Sequence, residues 1–174
     1  MENERTLIVD GYNVIYASDT LKQFMPKNKE RARAVLAERI KAIHSAESVR
    51  VIVVFDSSKE RIEVEYPFGE NGDKSFEFVF APHSLTADGV IERILVRMKH
   101  KDQATVISND NLVREATRSN GAVALRPNDL FAWIESSEKR LIELQGNRNK
   151  GKNAVLENRI EIDLFSDPES GVSD

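Results

Sequence analysis

Four aspartates punctuate this sequence at places where a fold could gather them. The apolar run that begins at Thr6 ends on Asp10, which Gly11-Tyr12-Asn13 follow, and Val49-Arg-Val-Ile-Val-Val-Phe55 ends on Asp56. Ala104-Thr-Val-Ile107 leads through Ser108-Asn109 to Asp110, and Asp88 stands near the start of Thr86-Ala-Asp88-Gly-Val-Ile-Glu92. Taken singly, each acid has an ordinary explanation. Asp10 or Asn13 would close an Asx turn or cap a helix, and Asp88 would complement a helix dipole in the first turn. Taken together they offer different chemistry. Carboxylates crowded into one pocket repel, and they must take up protons or share a cation. An all-oxygen donor set favours Mg²⁺ or Mn²⁺ over zinc, and with no cysteine and with His44, His83 and His100 at no ligand spacing, nothing points to a softer metal. Such a pocket binds a phosphodiester oxygen, activates water and stabilises a leaving oxygen.

On that reading Asp10, Asp56, Asp88 and Asp110 are the expected catalytic and metal-binding residues. Asn13, Glu92, Ser108 and Asn109 are the expected supports, with Glu92 one helical turn from Asp88 and on the same face. The amides would orient waters or the scissile phosphate, and Ser108 would hydrogen-bond an acid or a water. Arg114, one turn beyond Asp110, is a candidate phosphate clamp or a surface ion pair. Lys59, Arg61 and Lys74 are a candidate rim along an RNA or DNA backbone.

The elements that must position these groups alternate. Short, almost wholly apolar runs at 6–10, 49–55 and 104–107 suit parallel strands covered on both faces. Between them, Lys29 to Ala46 carries Ala32, Val35, Leu36, Ile40 and Ile43 at helical spacing, and Val90, Ile91, Ile94, Leu95 and Met98 do the same after the Thr86 cap. The polar segment Ser18 to Asn28 reads as a connection. A helix over Leu112–Ser119 closes at Asn120-Gly121. A short strand over Ala122–Leu125 follows, and then a helix capped by Asn128 or Asp129 that runs to about Leu144, with Trp133 assigned to packing rather than to base stacking. Lys59 to Ala81 breaks the alternation: Ile62, Val64 and Tyr66, a turn-rich middle, then Phe76, Phe78 and Phe80 predict a hairpin or an edge strand preceded by an excursion. An α/β sheet of this kind sets the carboxyl ends of its strands along one edge, where ligands bind.

Bulk properties bound the partners. In a chain of 174 residues with a net charge of −4, a uniformly basic nucleic-acid coat is excluded, whereas an acidic pocket with a basic rim is not. The charged start Met1-Glu-Asn-Glu-Arg5 is unlike a signal peptide and the apolar runs are strand-sized, so a soluble cytoplasmic protein with no membrane span is expected. The expected organisation is one domain over 1–145 and a polar, flexible tail over 146–174. In that tail Arg148, Lys150 and Lys152 form a solvated linker or touch phosphate, and the alternation of Ile160, Ile162 and Leu164 suggests a strand or a partner contact.

Asp10-Gly-Tyr-Asn13, Val54-Phe-Asp56, Thr86-Ala-Asp88-Gly-Val-Ile-Glu92 and Ser108-Asn-Asp110 resemble, in order and spacing, the motifs of the NYN domain within the PIN-like nuclease group, especially its YacP-like bacterial branch. The resemblance spans roughly Thr6 to Leu144. It implies a PIN-like three-layer α/β/α fold with a mostly parallel central sheet, and a Mg²⁺- or Mn²⁺-dependent endoribonuclease whose acidic site falls on Asp10, Asp56, Asp88 and Asp110. RNA is the expected partner, with a ribosome or ribonucleoprotein as a further candidate. The long, turn-rich Lys59 to Lys74 excursion departs from the pattern. A noncatalytic RNA-binding or adaptor module on the same fold is the alternative, although phosphate binding alone does not require clustered acids. A haloacid-dehalogenase-like phosphatase would need a second acid where Tyr12 stands, and a nucleotide-binding Rossmann enzyme would need a glycine-rich loop after the first strand.

Overall fold

The computed structural model describes residues 4–69 and 73–164, and side chains through Arg148. The chain forms two compact units, Met1–Glu138 and Lys139–Asp174. The first is built on strand β1 (Thr6–Asp10), which is buried at every position. Parallel partners flank it on both sides: β2 (Arg50–Asp56), in a register that sets Asp10 beside Val54, and β5 (Ala104–Ile107), which sets Val9 beside Ile107. β4 (Phe76–Ala81) extends the sheet beyond β2 and β6 (Val123–Leu125) extends it beyond β5, both parallel, while β3 (Glu63–Glu65) is antiparallel to β4. The order is β3-β4-β2-β1-β5-β6.

Side-chain alternation divides the core between two faces. Leu7, Val9, Val51, Val53, Phe55, Phe76, Phe78 and Phe80 pack on one side under α1 (Gly11–Tyr16), α2 (Asp19–Lys22), α3 (Lys29–Glu47) and the first turns of α6 (Pro127–Leu164). Ile8, Ile52, Val54, Val79 and Val106 pack on the other under α4 (Ala87–Arg97) and α5 (Asn111–Ser119). This is the α/β sheet that the alternating pattern predicts, in the three-layer, mostly parallel α/β/α form that the resemblance implies. The segment read as a plain connection contains α2, whose first turn is capped by the Ser18 hydroxyl accepting from the Leu21 N–H. Asn28 caps α3 in the same way through Arg31 N–H at 2.9 Å. Gly121 takes the left-handed φ of 84° that the turn between α5 and β6 requires.

Of the two alternatives for the 59–81 stretch the structure forms the hairpin, with β3 antiparallel to β4, and the strand after the turn-rich middle is not an edge. β3 is a short antiparallel edge on which Ile62, Val64 and Tyr66 stay exposed, whereas β4 is an interior strand buried at all positions. Trp133 is a packing residue, half-buried against the core with its indole N–H donating to Glu47 Oε1 at 2.7 Å.

The final helix departs from the sequence reading. It runs to Leu164 rather than ending near Leu144, and Ile160, Ile162 and Leu164 lie within it instead of forming a strand. Polarity was the misleading signal: Glu, Lys, Arg, Gln and Ala favour helix even without an apolar face, and Gly146 and Gly151 cost only about 1 kcal/mol each. The side chains of Lys150 and Lys152, and residues 165–174 of the expected tail, lie outside the described residues. Among the described residues, no helix is long and apolar enough to cross a membrane.

Candidate active site

Strand parity explains why separate acids face one another. In β1 and β2 the even-numbered residues point toward α4 and α5, so Asp10 and Asp56 continue the face that carries Ile8, Ile52 and Val54. Ser108, one residue past β5, continues the face of Val106 and lies level with Asp10. The two helices covering that face begin at the same edge and bring Asp88 in the first turn of α4 and Asp110 at the N-cap of α5.

Asp10 is the buried member, 6% exposed, and its Oδ2 accepts a hydrogen bond from the Ser108 hydroxyl at 3.0 Å. Burial pushes its carboxyl up from 3.8 to about 7, outweighing the Ser108 hydrogen bond, and the negative charges of Asp88 and Asp56 push it further in the same direction. Asp88 is likewise raised, by burial first and then by Asp110 and Asp56. Asp88 thus feels the charges of Asp56 and Asp110, and Asp10 those of Asp56 and Asp88, across the sheet edge.

Asp56 and Asp110 also have structural duties. Asp56 Oδ1 accepts from Ala87 N–H at 2.8 Å, tying the tip of β2 to the start of α4, which Thr86 caps in its own right. Asp110 Oδ1 accepts from Leu112 N–H at 2.7 Å and from Val113 N–H at 3.4 Å. One oxygen of each carboxylate is thus committed to a helix N-terminus. Among the described residues, no three acidic or histidine side chains stand close enough to hold an ion by themselves. The convergence is electrostatic and does not make a preformed cage. Its remaining carboxylate oxygens suit a hard cation that keeps several of its waters, as Mg²⁺ does, better than one enclosed by protein.

The supporting residues are divided. Asn13 Oδ1 accepts from Asn109 N–H at 2.6 Å, and Ser108 Oγ accepts from Asp110 N–H at 3.1 Å, so Asn13 and Ser108 brace the loop after β5 against the start of α1. Asn109 enters through its backbone while its side chain remains exposed. Glu92 is exposed on α4 and lines, with Asp88, a cleft of about 330 Å³ between α4 and α5.

The candidate substrate contacts fare differently. Arg114 is not at the surface: at 4% exposure, it donates from Nη1 to the Ser108 carbonyl at 3.0 Å and from Nη2 to Asn111 Oδ1. It holds the loop from beneath, so neither a phosphate clamp nor a surface ion pair describes it. Lys59 follows β2 at the acidic edge and pairs with Glu63 at 2.6 Å, and Arg61 is exposed nearby in the chain. Lys74 precedes β4 and so lies at the opposite edge of the sheet, one strand length, roughly 17 Å, from the acids. The sequence could not show this, because it did not fix the direction of β4.

Two contacts at the site carried no clear sequence signal. A Cβ added to Gly11 would fall 2.2 Å from Phe55 Cε1, so this glycine is required by the aromatic ring beneath it. The Tyr12 hydroxyl accepts from Arg33 Nη1 at 3.0 Å, across a sequence separation of 21.

The match to the YacP-like NYN domain runs over residues 7–168. The chain belongs to the YacP-like NYN family. YacP of Bacillus subtilis (strain 168) is 30% identical over 136 residues, covering 78% of each protein. Two crystal structures of Rae1 (YacP) from Bacillus subtilis have the same fold at 28% identity. The W164L mutant superposes with a TM-score of 0.66 and 88% coverage of both chains, and the other with a TM-score of 0.64 and coverage of 90% of this chain and 91% of that one. The NYN family includes nucleases, and the PIN-like architecture expected from the motifs is that of these YacP structures.

Proposed function

We propose that this YacP-like NYN protein is a divalent-cation-dependent endoribonuclease acting in the cytoplasm, with Asp10, Asp56, Asp88 and Asp110 as its acidic centre. The observation that carries the reading is the mutual charging of these acids: Asp10 and Asp88 are both raised by burial and by neighbouring carboxylates, a conflict that a cation relieves. The free oxygens of the four aspartates would hold Mg²⁺ or Mn²⁺, which when bound supplies charge neutralisation at the phosphate and a more acidic water. Ser108 fixes the rotamer of Asp10, and Asn13 and Arg114 fix the loop that carries Asp110. Lys59 and Arg61 stand beside this edge as cations for the RNA backbone.

Cleavage of labelled single-stranded RNA by the purified protein tests the assignment. Cleavage should require Mg²⁺ or Mn²⁺, stop in chelator, and fall by about 10²-fold or more in folded Asp10→Asn and Asp88→Asn proteins. Equal cleavage by both variants overturns it. RNA binding without cleavage under any divalent ion favours a noncatalytic adaptor instead. Sequencing RNA ends made by active and Asp88→Asn proteins, on free RNA and on ribosomes, identifies the substrate.

A further inference from the structure

The acids are bordered by a second cavity that the proposed chemistry does not use. About 430 Å³ in volume, it opens on the α1 and α3 side of the carboxyl edge and is lined by Tyr12, Tyr16, Lys29, Ser58 and His83 as well as by Asp56 itself. Through Asp56, a group seated there is a direct neighbour of whatever the acidic centre holds. Its size is that of a small-ligand pocket.

The walls are aromatic and differ in how they are held. Tyr12 is fixed: its ring packs against Phe55 at 5.0 Å and its hydroxyl is pinned by Arg33. The Arg33 guanidinium in turn lies over Phe80 at 5.3 Å and over Phe55 at 5.8 Å. A wall set in this way needs no ordering when a ligand arrives. Tyr16, by contrast, is 60% exposed on the last turn of α1 and adds little to the core. Lys29 contributes a cation at the first position of α3. Fixed ring, free ring and flanking cation are the parts with which proteins take an unpaired base and its phosphate. A base inside a duplex has both faces covered and could not enter.

We propose that this cavity seats an unstacked nucleobase of single-stranded RNA, adjoining the phosphate presented to the acids, with Tyr16 stacking on the base, Tyr12 as the fixed wall and Lys29 meeting the backbone. The assignment rests on the nuclease reading for the direction of the strand. It implies that the protein selects unpaired RNA through Tyr16.

Binding of a short labelled single-stranded RNA, and of the same strand annealed to its complement, is measured by fluorescence anisotropy in Mg²⁺. The protein is Asp10→Asn, alone and combined with Tyr16→Ala or Tyr16→Phe. Loss of the ring should weaken single-strand binding about tenfold, the scale of one base stacked on an aromatic side chain. Tyr16→Phe should restore it, and duplex binding should change less than twofold. Tyr16 is exposed, so thermal unfolding should be unaltered. Unchanged single-strand affinity in Tyr16→Ala, equal losses for single strand and duplex, or no binding by the parent would each overturn the seat. If wild-type protein cleaves RNA while Tyr16→Ala leaves affinity unchanged, the seat fails and the nuclease stands. If the ring-dependent affinity appears but no divalent ion supports cleavage, the nuclease fails and the seat stands.

Discussion

The Ser108 hydroxyl donates to Asp10 Oδ2 at 3.0 Å across a separation of 98 residues, and Ser108 Oγ itself accepts from the Asp110 N–H at 3.1 Å. One buried hydroxyl therefore links the tip of the central strand to the loop that carries another of the acids. Ser108→Ala would leave the Asp110 amide without this acceptor and free the Asp10 rotamer. Loss of an outer hydrogen bond to a metal-binding carboxylate typically costs 10- to 100-fold, so cleavage should fall by about that factor, with a stability loss of about 1–3 kcal/mol from the buried amide. Cleavage rates and urea unfolding on the same preparation check both. Wild-type cleavage would show that Asp10 needs no such support.

Gly11 answers to packing as well as to the turn after β1. Its missing Cβ is occupied by the Phe55 ring, which is fully buried and contacts Phe78 at 5.2 Å and Phe80 at 5.8 Å, so the ring has little room to retreat. Gly11→Ala should destabilise the protein by about 1–3 kcal/mol. Because the penalty is a clash with one ring, Gly11→Ala combined with Phe55→Leu should cost less than the sum of the two. A double-mutant cycle by urea unfolding gives the coupling, and strict additivity would place the strain elsewhere.

Asp10 should make the metal-free protein less stable as pH rises. Its carboxyl is raised to about 7 by burial, against 3.8 for an ordinary aspartate, so between those values the native state holds a proton that the unfolded chain has released. Stability is then lost progressively from about pH 4 to about pH 7 and levels off above. Asp10→Asn removes the conflict. In chelator it should unfold at a higher temperature than wild type near pH 8, with the gap closing near pH 4. A cation bound only by the native state reverses the order, so Mg²⁺ should raise the wild-type Tm near pH 8 more than that of the variant. Thermal melts at these pH values, with and without Mg²⁺, decide it. A wild type more stable than Asp10→Asn near pH 8 in chelator contradicts the sign.

What could be read from the sequence follows from which signals are local. β1, β2 and β5 are legible because a strand buried on both faces is apolar throughout, and Asp10, Asp56 and Asp110 stand out as the polar residues that end such runs. Parity then carries Asp10 and Asp56 to one face, and the starts of α4 and α5 bring Asp88 and Asp110 to it. Lys74 stands away from the acids because β4 runs parallel to β2, which puts its first residues at the far edge, a direction the turn-rich excursion hides. The Tyr12–Arg33 hydrogen bond and the Phe55–Gly11 contact are tertiary pairings that neither spacing nor composition encodes. The length of α6 is hidden because its polar second half holds a helix without the apolar spacing that marks one.

Arg114 is where the two kinds of signal conflict, and it yields the sharpest test. An arginine one turn past a site acid suggests a phosphate contact, yet the guanidinium is buried and spends its donors on the Ser108 carbonyl and on Asn111. Its work is to shape the loop on which Ser108 and Asp110 ride. Arg114→Met keeps much of the buried stem while leaving the Ser108 carbonyl without this donor, so stability should fall by about 1–3 kcal/mol. Cleavage should fall with the loosened loop. A phosphate contact predicts something else. Removing one lowers the dependence of log Kd on log salt by about 0.7 for a single strand, whereas a buried brace leaves that slope unchanged. Anisotropy titrations of single-stranded RNA across a salt series, comparing Asp10→Asn with Asp10→Asn/Arg114→Met, separate the two. An unchanged slope with weakened folding identifies the brace, and a slope reduced by one phosphate contact would return Arg114 to the RNA.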